Sequence, residues 1–208
     1  SVEHFKAPFV LEGGSIHVDG DGTLMSTEQC LLHPNRNPEL DQEDIEQLLR
    51  EHLNVHNIIW LGEGLMDDET DGHVDNLACF IKPGAVMALI SSDPEDENYD
   101  VLQDNLLRLK HAKDARERSL EIITVEQPEA RWKEDERLAQ SYINFYMPNK
   151  GIVMPAFKDP VHDNQAREIF EKVFPDREII QLDAQEIVMG GGGIHCITQQ
   201  QPKVLVIS

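Results

Sequence analysis

Three short segments of the chain combine glycine with side chains that can act as an acid, a base or a nucleophile. The segments are residues 12–17, 71–76 and 193–198. Glycine lets the backbone approach a ligand closely or turn with a positive φ. If the fold brings the segments together, Glu12, His73, Asp75 and Cys196 face one pocket.

Cys196 is the candidate nucleophile of that pocket. A thiol that attacks a substrate needs a base within reach and a third group that orients the base, and His73 and Glu12 provide both types. His73 and Asp75 are two residues apart, so on the β-strand expected here their side chains share one face. An imidazole and a carboxylate can then contact one substrate together.

Four further cysteines and histidines are assigned to structural roles. Cys30 and Cys79 lie within apolar strand patterns, where a free thiol most often acts as a small buried hydrophobe. His17 and His195 also follow glycines, but strand alternation is expected to turn them towards the core. None of the four enters the predicted site.

A metal site is the competing use of the same atoms. The residues that could coordinate zinc are Cys196, His73, Asp75 and His17. The chain contains no CxxC or HExxH spacing, so we expect no metal. The glycine run at 190–193 does not begin a helix and no Lys-Ser/Thr follows it, so a phosphate-binding loop is not expected either.

Composition restricts the class of protein and its partners. The 208 residues include 18 Lys and Arg against 39 Asp and Glu, a formal net charge of −21. This charge repels phosphate backbones and anionic lipids, so we expect no nucleic-acid or membrane partner. Three cysteines form no even disulfide framework, which favours a reducing, cytoplasmic location. Neither a signal peptide nor a start methionine is present, and we expect the chain to begin within a longer protein.

Periodicity predicts an α/β fold made of repeated units. Helices are predicted at about 41–53, 99–112 and 163–173, and strands after them at 57–61, 120–125 and 178–182. Predicted hairpins precede the helices, at 15–18 with 23–26, 73–81 with 85–90, and 141–147 with 152–155. A fourth hairpin is predicted at 194–198 with 204–207. The helix starts are 58 and 64 residues apart, which indicates an internal ββαβ repeat. Stacked units of this kind bring equivalent strand ends near one axis.

The segments at residues 10–17, 69–76 and 194–202 together resemble agmatine deiminases, as do residues 33–38 and 141–146. The resemblance covers the whole chain. It implies the α/β-propeller (pentein) fold of guanidino-group-modifying enzymes, with five ββαβ modules around a central site. About three and a half modules are expected in this chain, as one catalytic domain over residues 1–208.

The resemblance also implies a role for each candidate residue. Cys196 is the nucleophile, His73 the general acid and base, and Glu12 the partner of His73, while Asp75 and Gly193 bind the substrate. The implied reaction hydrolyses the guanidinium of agmatine to N-carbamoylputrescine and ammonia through a covalent thiouronium intermediate. It needs no cofactor and suits a cationic guanidine. Family analogy also suggests a homodimer.

One family motif is absent from the chain. Agmatine deiminases carry a further guanidinium-binding aspartate in an Arg-Asp-x-Gly-Pro motif, and no such stretch occurs here. We therefore expect N-terminal modules to be lacking and residues 1–208 alone not to turn over agmatine. Two alternatives remain open: another guanidine-acting enzyme, such as an arginine or peptidylarginine deiminase or an amidinotransferase, and a truncated, non-catalytic relative that serves assembly.

Overall fold

A repeated order of elements organises the chain: a hairpin, a helix, and a strand parallel to the second strand of the hairpin. The structure is a computed structural model that describes residues 6–201. The strands are β1 (Ile16–Val18), β2 (Thr23–Thr27), β3 (Asn57–Leu61), β4 (Ala78–Lys82), β5 (Ala85–Ile90), β6 (Glu121–Glu126), β7 (Trp132–Lys133), β8 (Glu136–Arg137), β9 (Gly151–Ala156) and β10 (Glu178–Asp183). The α-helices are α1 (Glu28–Leu31), α2 (Gln42–Leu53), α3 (Tyr99–His111), α4 (Pro160–Val173) and α5 (Gln185–Val188).

The sheets confirm the predicted repeat. In the first unit β1 pairs antiparallel with β2 and β2 pairs parallel with β3, and the second unit repeats this order with β4, β5 and β6. In the third unit β9 pairs parallel with β10. The crossovers that join the parallel strands contain α2, α3 and α4.

Local sequence signals fix the helix boundaries. The side chain of Asp41 accepts a hydrogen bond from the backbone of Asp44, and the Asp44 side chain accepts one in return, so the predicted N-cap of α2 is confirmed. Helix α4 begins three residues before the predicted start. Asp159 caps it by accepting from the His162 N–H, and Pro160 occupies the first turn, where a missing N–H costs nothing.

Burial follows the predicted apolar faces. Ile45 and Leu49 of α2 are 1% and 0% exposed and pack with Leu24 of β2 in a small cluster. A larger cluster draws on all three units and includes Met25, Met87 and Phe170. None of the helices between residues 6 and 201 has the length and apolar character needed to cross a membrane.

The predicted first strands of the later units form only in part. Strand β4 covers residues 78–81 of the predicted strand 73–81, but the strands predicted at 141–147 and 194–198 are not formed. Residues 73–77 form a short 3-10 helix at Val74–Asn76, residues 141–147 contribute one bridge between Tyr146 and Val153, and residues 194–198 form a turn. Polar side chains take the backbone groups that a strand ladder would use. Ser141, for example, donates to the Asn76 carbonyl at 2.7 Å and accepts from the Ile143 N–H. Predicted strand 204–207 lies outside the described residues.

Candidate active site

A cavity of about 240 Å³ lies where the starts of the first two units meet the glycine-rich turn near the end of the chain. Its lining includes the four residues predicted to carry the chemistry: Glu12, His73, Asp75 and Cys196. They come from loops, turns and short 3-10 segments, because residues 73–77 and 194–198 do not form the strands expected there. The structure therefore brings the four side chains to one cavity by a different local route from the one predicted.

Gly14 allows two of these side chains to approach the backbone. A Cβ atom at this position would lie 2.6 Å from Nδ1 of His73 and 2.7 Å from Oδ2 of Asp75. Both distances are shorter than van der Waals contact, so any side chain at Gly14 would displace the imidazole or the carboxylate. The glycine preceding the polar residues is thus required by close approach, as the sequence indicates.

Asp75 and His73 are both buried, and each has one side-chain polar atom that can still bind a ligand. Asp75 is 2% exposed; its Oδ2 lies 2.9 Å from Nδ1 of His195 and accepts from Sγ of Cys196 at 3.5 Å. Oδ1 of Asp75 and Nε2 of His73 have no hydrogen-bond partner among residues 6–201. Buried polar atoms are nearly always paired, so these two atoms are suited to a bound ligand.

The two histidines assigned to the core behave differently. His195 points into the site against Asp75, so its assignment to the core is wrong. The turn at residues 194–197 replaces strand alternation and frees its side chain. His17 accepts from the backbone N–H of Phe80 at 3.2 Å. Burial and the neighbouring His195 lower the pKa of His17 to about 4, so its imidazole is neutral near pH 7.

Asn144 supports the candidate nucleophile, a role that pattern reasoning missed. Its Nδ2 donates to Sγ of Cys196 at 3.2 Å and to Oδ1 of Asn76 at 2.9 Å, while its Oδ1 accepts from the His195 N–H at 2.8 Å. Gly193 provides the space, because a Cβ there would lie within 2.2 Å of Asn144 Oδ1. The only sequence signal for Asn144 is its place in the segment 141–146.

The environment of Cys196 favours the protonated thiol. Partial burial and the carboxylate of Asp75 raise its pKa, and hydrogen bonds from the Gly193 backbone and the Asn144 side chain oppose them without cancelling the rise. A cation bound beside Asp75 would neutralise the carboxylate and favour the thiolate. A bound cation at this position would therefore activate the candidate nucleophile.

Replacement of Asn144 by aspartate should make the thiol harder to ionise. The change keeps the size of the side chain but places a second carboxylate beside the sulfur, so the pKa of Cys196 rises further. We expect the pH at which iodoacetamide reacts half-maximally with Cys196 to rise by about one unit or more. Asn149→Asp, at an exposed turn, is the matched control. An unchanged pH profile for Asn144→Asp would show that Asn144 does not act on the sulfur.

Arg36 fixes the carboxylate of Glu12. Its Nε donates to Oε2 of Glu12 at 2.7 Å, and its Nη2 donates to Oε1 of Glu12 at 3.1 Å. The same guanidinium also donates from Nη1 to Asp71 at 3.1 Å and from Nη2 to the Thr70 carbonyl at 2.6 Å. The Arg36 side chain is 8% exposed. This bidentate pair aims Oε1 at Nε2 of His73, 3.6 Å away. Burial raises the pKa of Glu12, but the pairing with Arg36 outweighs burial and the pKa is lowered overall.

Replacement of Arg36 by methionine should shift the acidic side of the pH profile. Without the guanidinium the pKa of Glu12 rises, so the carboxylate beside His73 is lost at a higher pH as the solution is acidified. We expect the acidic limb of kcat/KM to move upward and the protein to lose about 2 kcal/mol of stability, because two carboxylates lose their partner. Arg36→Lys keeps the positive charge, so it should show a smaller shift of the acidic limb and a smaller loss of stability than Arg36→Met. Arg50→Met, at an exposed position, serves as the control. If the acidic limb stays in place in Arg36→Met, ionisation of Glu12 does not determine the pH dependence.

The alternative zinc ligand set is not brought together. Among the described residues, the only group of three or more Cys, His, Asp or Glu donor atoms within 4.8 Å of one another is Glu12, Cys30 and His73. Cys196, Asp75 and His17 are outside it. Cys30 itself lies in α1, so its assignment to a strand is wrong, although its full burial agrees with the prediction of a buried thiol.

Residues 1–202 match the sequence profile of the Porphyromonas-type peptidyl-arginine deiminase family. The chain belongs to this family. A Legionella pneumophila relative, provisionally named an agmatine deiminase, is 56% identical over 97% of this chain and 58% of its own length. The agmatine deiminase of Pseudomonas fluorescens is 46% identical over 96% of this chain and 59% of its own length. The chain thus spans a little under three fifths of the relatives it matches.

Solved structures of the same family share its fold. The agmatine deiminase of Enterococcus faecalis superposes with a TM-score of 0.89 at 41% identity, over 94% of this chain and 58% of that one. A substrate-bound C. jejuni agmatine deiminase gives a TM-score of 0.87 at 33% identity, over 93% and 56% of the two chains. These likenesses confirm the predicted resemblance and the mixed α/β deiminase fold.

Proposed function

We propose that the protein containing this chain is an agmatine deiminase, a hydrolase of a C–N bond in a linear amidine. The single observation that carries the proposal is the geometry of Asp75. One oxygen of this buried carboxylate contacts the nucleophile region, and the other has no partner among the described residues. A guanidinium supplies planar N–H donors and a positive charge, which is what such a carboxylate needs beside a thiol.

The four residues and Gly193 have distinct roles in the first half of the proposed reaction. Asp75 and the backbone near Gly193 hold the guanidinium, and Glu12 orients His73. The Cys196 thiolate attacks the central guanidinium carbon to form a tetrahedral adduct. His73 gives a proton to the departing nitrogen, the C–N bond breaks, and ammonia leaves a thiouronium on the sulfur.

The second half of the reaction uses the same groups in reverse. His73 takes a proton from a water molecule as its oxygen attacks the thiouronium carbon. The C–S bond then breaks and its electron pair returns to Cys196, while the hydroxyl proton of the adduct passes to solvent and N-carbamoylputrescine is released. The proton that His73 took from water returns to the Cys196 sulfur, from which His73 removes it before the next attack. The same imidazole serves as acid and then as base, so it is reset within each turnover.

The lining of the cavity favours agmatine over arginine. It carries the carboxylates of Glu12 and Asp75, and no Lys or Arg is among the described residues that line it. Arginine would bring an α-carboxylate towards these negative groups, which costs several kcal/mol, whereas agmatine brings a second positive charge. We further propose that the enzyme is cytoplasmic, takes part in putrescine biosynthesis and acts as a homodimer. These three proposals rest on the family resemblance alone.

Ammonia release by the complete protein tests the proposal. We expect turnover of agmatine with N-carbamoylputrescine as product, and a kcat/KM for arginine or a peptidylarginine that is lower by about 10²-fold or more. Transfer of the amidino group to an added amine would instead identify an amidinotransferase. Turnover of arginine at the rate of agmatine, or no turnover of any guanidine, would overturn the proposed substrate.

A further inference from the structure

A second set of ligand atoms lies behind the catalytic cavity. One donor atom each from Glu12, Cys30 and His73 lies within 4.8 Å of the others. Cys30 is 0% exposed, His73 is 8% exposed, and the Glu12 side chain is 38% exposed. Burial therefore increases from Glu12 at the cavity to Cys30 in the interior. A thiolate, an imidazole and a carboxylate are the three ligand types that zinc prefers in proteins.

The position of His73 supplies an independent indication of a ligand. His73 as a whole residue is 8% exposed, and its Nε2 has no hydrogen-bond partner among the residues that the structure describes. The nearest carboxylate oxygen, Oε1 of Glu12, lies 3.6 Å away, beyond a normal hydrogen bond. A cation placed between the two would be bound by both.

Charge near the three ligands also permits a cation. Arg36 occupies both oxygens of Glu12, but each carboxylate oxygen keeps a second lone pair. Asp71 pairs with the same guanidinium, and Asp68 also acts electrostatically on Cys30. Within a chain of net charge −21, these carboxylates offset the positive charge of Arg36.

We propose that Glu12, Cys30 and His73 form an inhibitory site for a thiophilic divalent cation such as Zn²⁺. Cys30 loses its proton to solvent as the sulfur–metal bond forms, and Nε2 of His73 donates its lone pair to the cation. That lone pair can no longer carry a proton, so the cation blocks acid–base catalysis. The inhibitory consequence rests on the proposed function, whereas the binding does not.

Cobalt binding tests the site without any assay of activity. The complete protein is titrated with Co²⁺, whose bond to a thiolate gives a charge-transfer absorption. We expect one equivalent with this band in the wild type, in Cys79→Ser and in protein whose Cys196 has been blocked with iodoacetamide. We expect its loss in Cys30→Ser and Cys30→Ala. A band that disappears when Cys196 is blocked, or that survives both Cys30 variants, would overturn the assignment.

Proton release provides a check that needs no variant to fold. Zn²⁺ added to weakly buffered wild-type protein with Cys196 blocked should release about one proton per ion bound, because Cys30 ionises. Release of no proton would contradict Cys30 as a ligand.

Inhibition is then compared with binding. If agmatine is turned over, Zn²⁺ should inhibit the wild type and Cys79→Ser at the same concentration. The concentration that halves the rate should be about tenfold or more higher for Cys30→Ser. The rate of each protein is expressed relative to its own rate without Zn²⁺. Equal inhibition of both variants would overturn the inhibitory role. Absence of turnover would reject the proposed function and leave the cobalt result to decide the site.

Discussion

Replacement of Cys196 by alanine in the complete protein should remove the proposed deimination of agmatine. We expect kcat to fall by about 10⁶-fold, the size of loss when a covalent hydrolase loses its nucleophile. No other described thiol can take its place. Burial raises the pKa of both Cys30 and Cys79 to about 12, so these thiols stay protonated near pH 7. Cys79→Ala is the matched control and should retain activity.

Alkylation of the wild type gives the same test without a substitution. Iodoacetamide should label Cys196 alone among the three cysteines, and the remaining activity should equal the unlabelled fraction of Cys196 measured by peptide mass spectrometry. Full activity with Cys196 completely labelled would remove this residue from the mechanism.

Loss of His73 and loss of the Asp75 charge should impair the enzyme in different ways. His73→Ala removes a proton transfer worth about 10²–10⁴-fold from each half of the reaction, so kcat falls while the KM for agmatine changes little. Asp75→Asn keeps the size of the side chain but not its charge. It should raise KM as well as lower kcat, because the guanidinium loses its counter-ion.

The pH dependence of thiol alkylation adds a readout specific to Asp75. Its carboxylate raises the pKa of Cys196, so Asp75→Asn should make the thiol react at lower pH even as turnover falls. His111→Ala, at an exposed position of α3, controls for loss of a histidine as such. Near-normal turnover by His73→Ala would move the acid–base role to another group, and His195 would then be the first to test.

Sequence periodicity was sufficient for the elements that pack against the core. Helix α2 has an apolar face, a capping box and a strand after it, and all three signals agree about its position. The same agreement holds for β6 and β10, which form where β-branched runs predict strands after α3 and α4. Burial and local propensity favour one structure there.

At the site the local signals conflict, and sequence reasoning fails at those positions. His73 and Asp75 alternate as in a strand, but Asn76, Ser141 and Asn144 bind one another and the backbone across units, which holds the segments out of a ladder. Contacts of this kind join residues 65 and 68 positions apart, which no local pattern can show. The bond from Arg36 to Glu12 is long-range for the same reason, and it spans 24 positions.

Trapping the covalent intermediate tests the role of Cys196 as nucleophile most directly. The complete protein is mixed with agmatine, quenched in acid within the first turnovers, digested and analysed by mass spectrometry. We expect an adduct on the peptide that contains Cys196, with a mass gain equal to agmatine minus ammonia, and no such adduct in Cys196→Ala. Steady turnover with no adduct on Cys196, or with an adduct on another residue, would contradict that role.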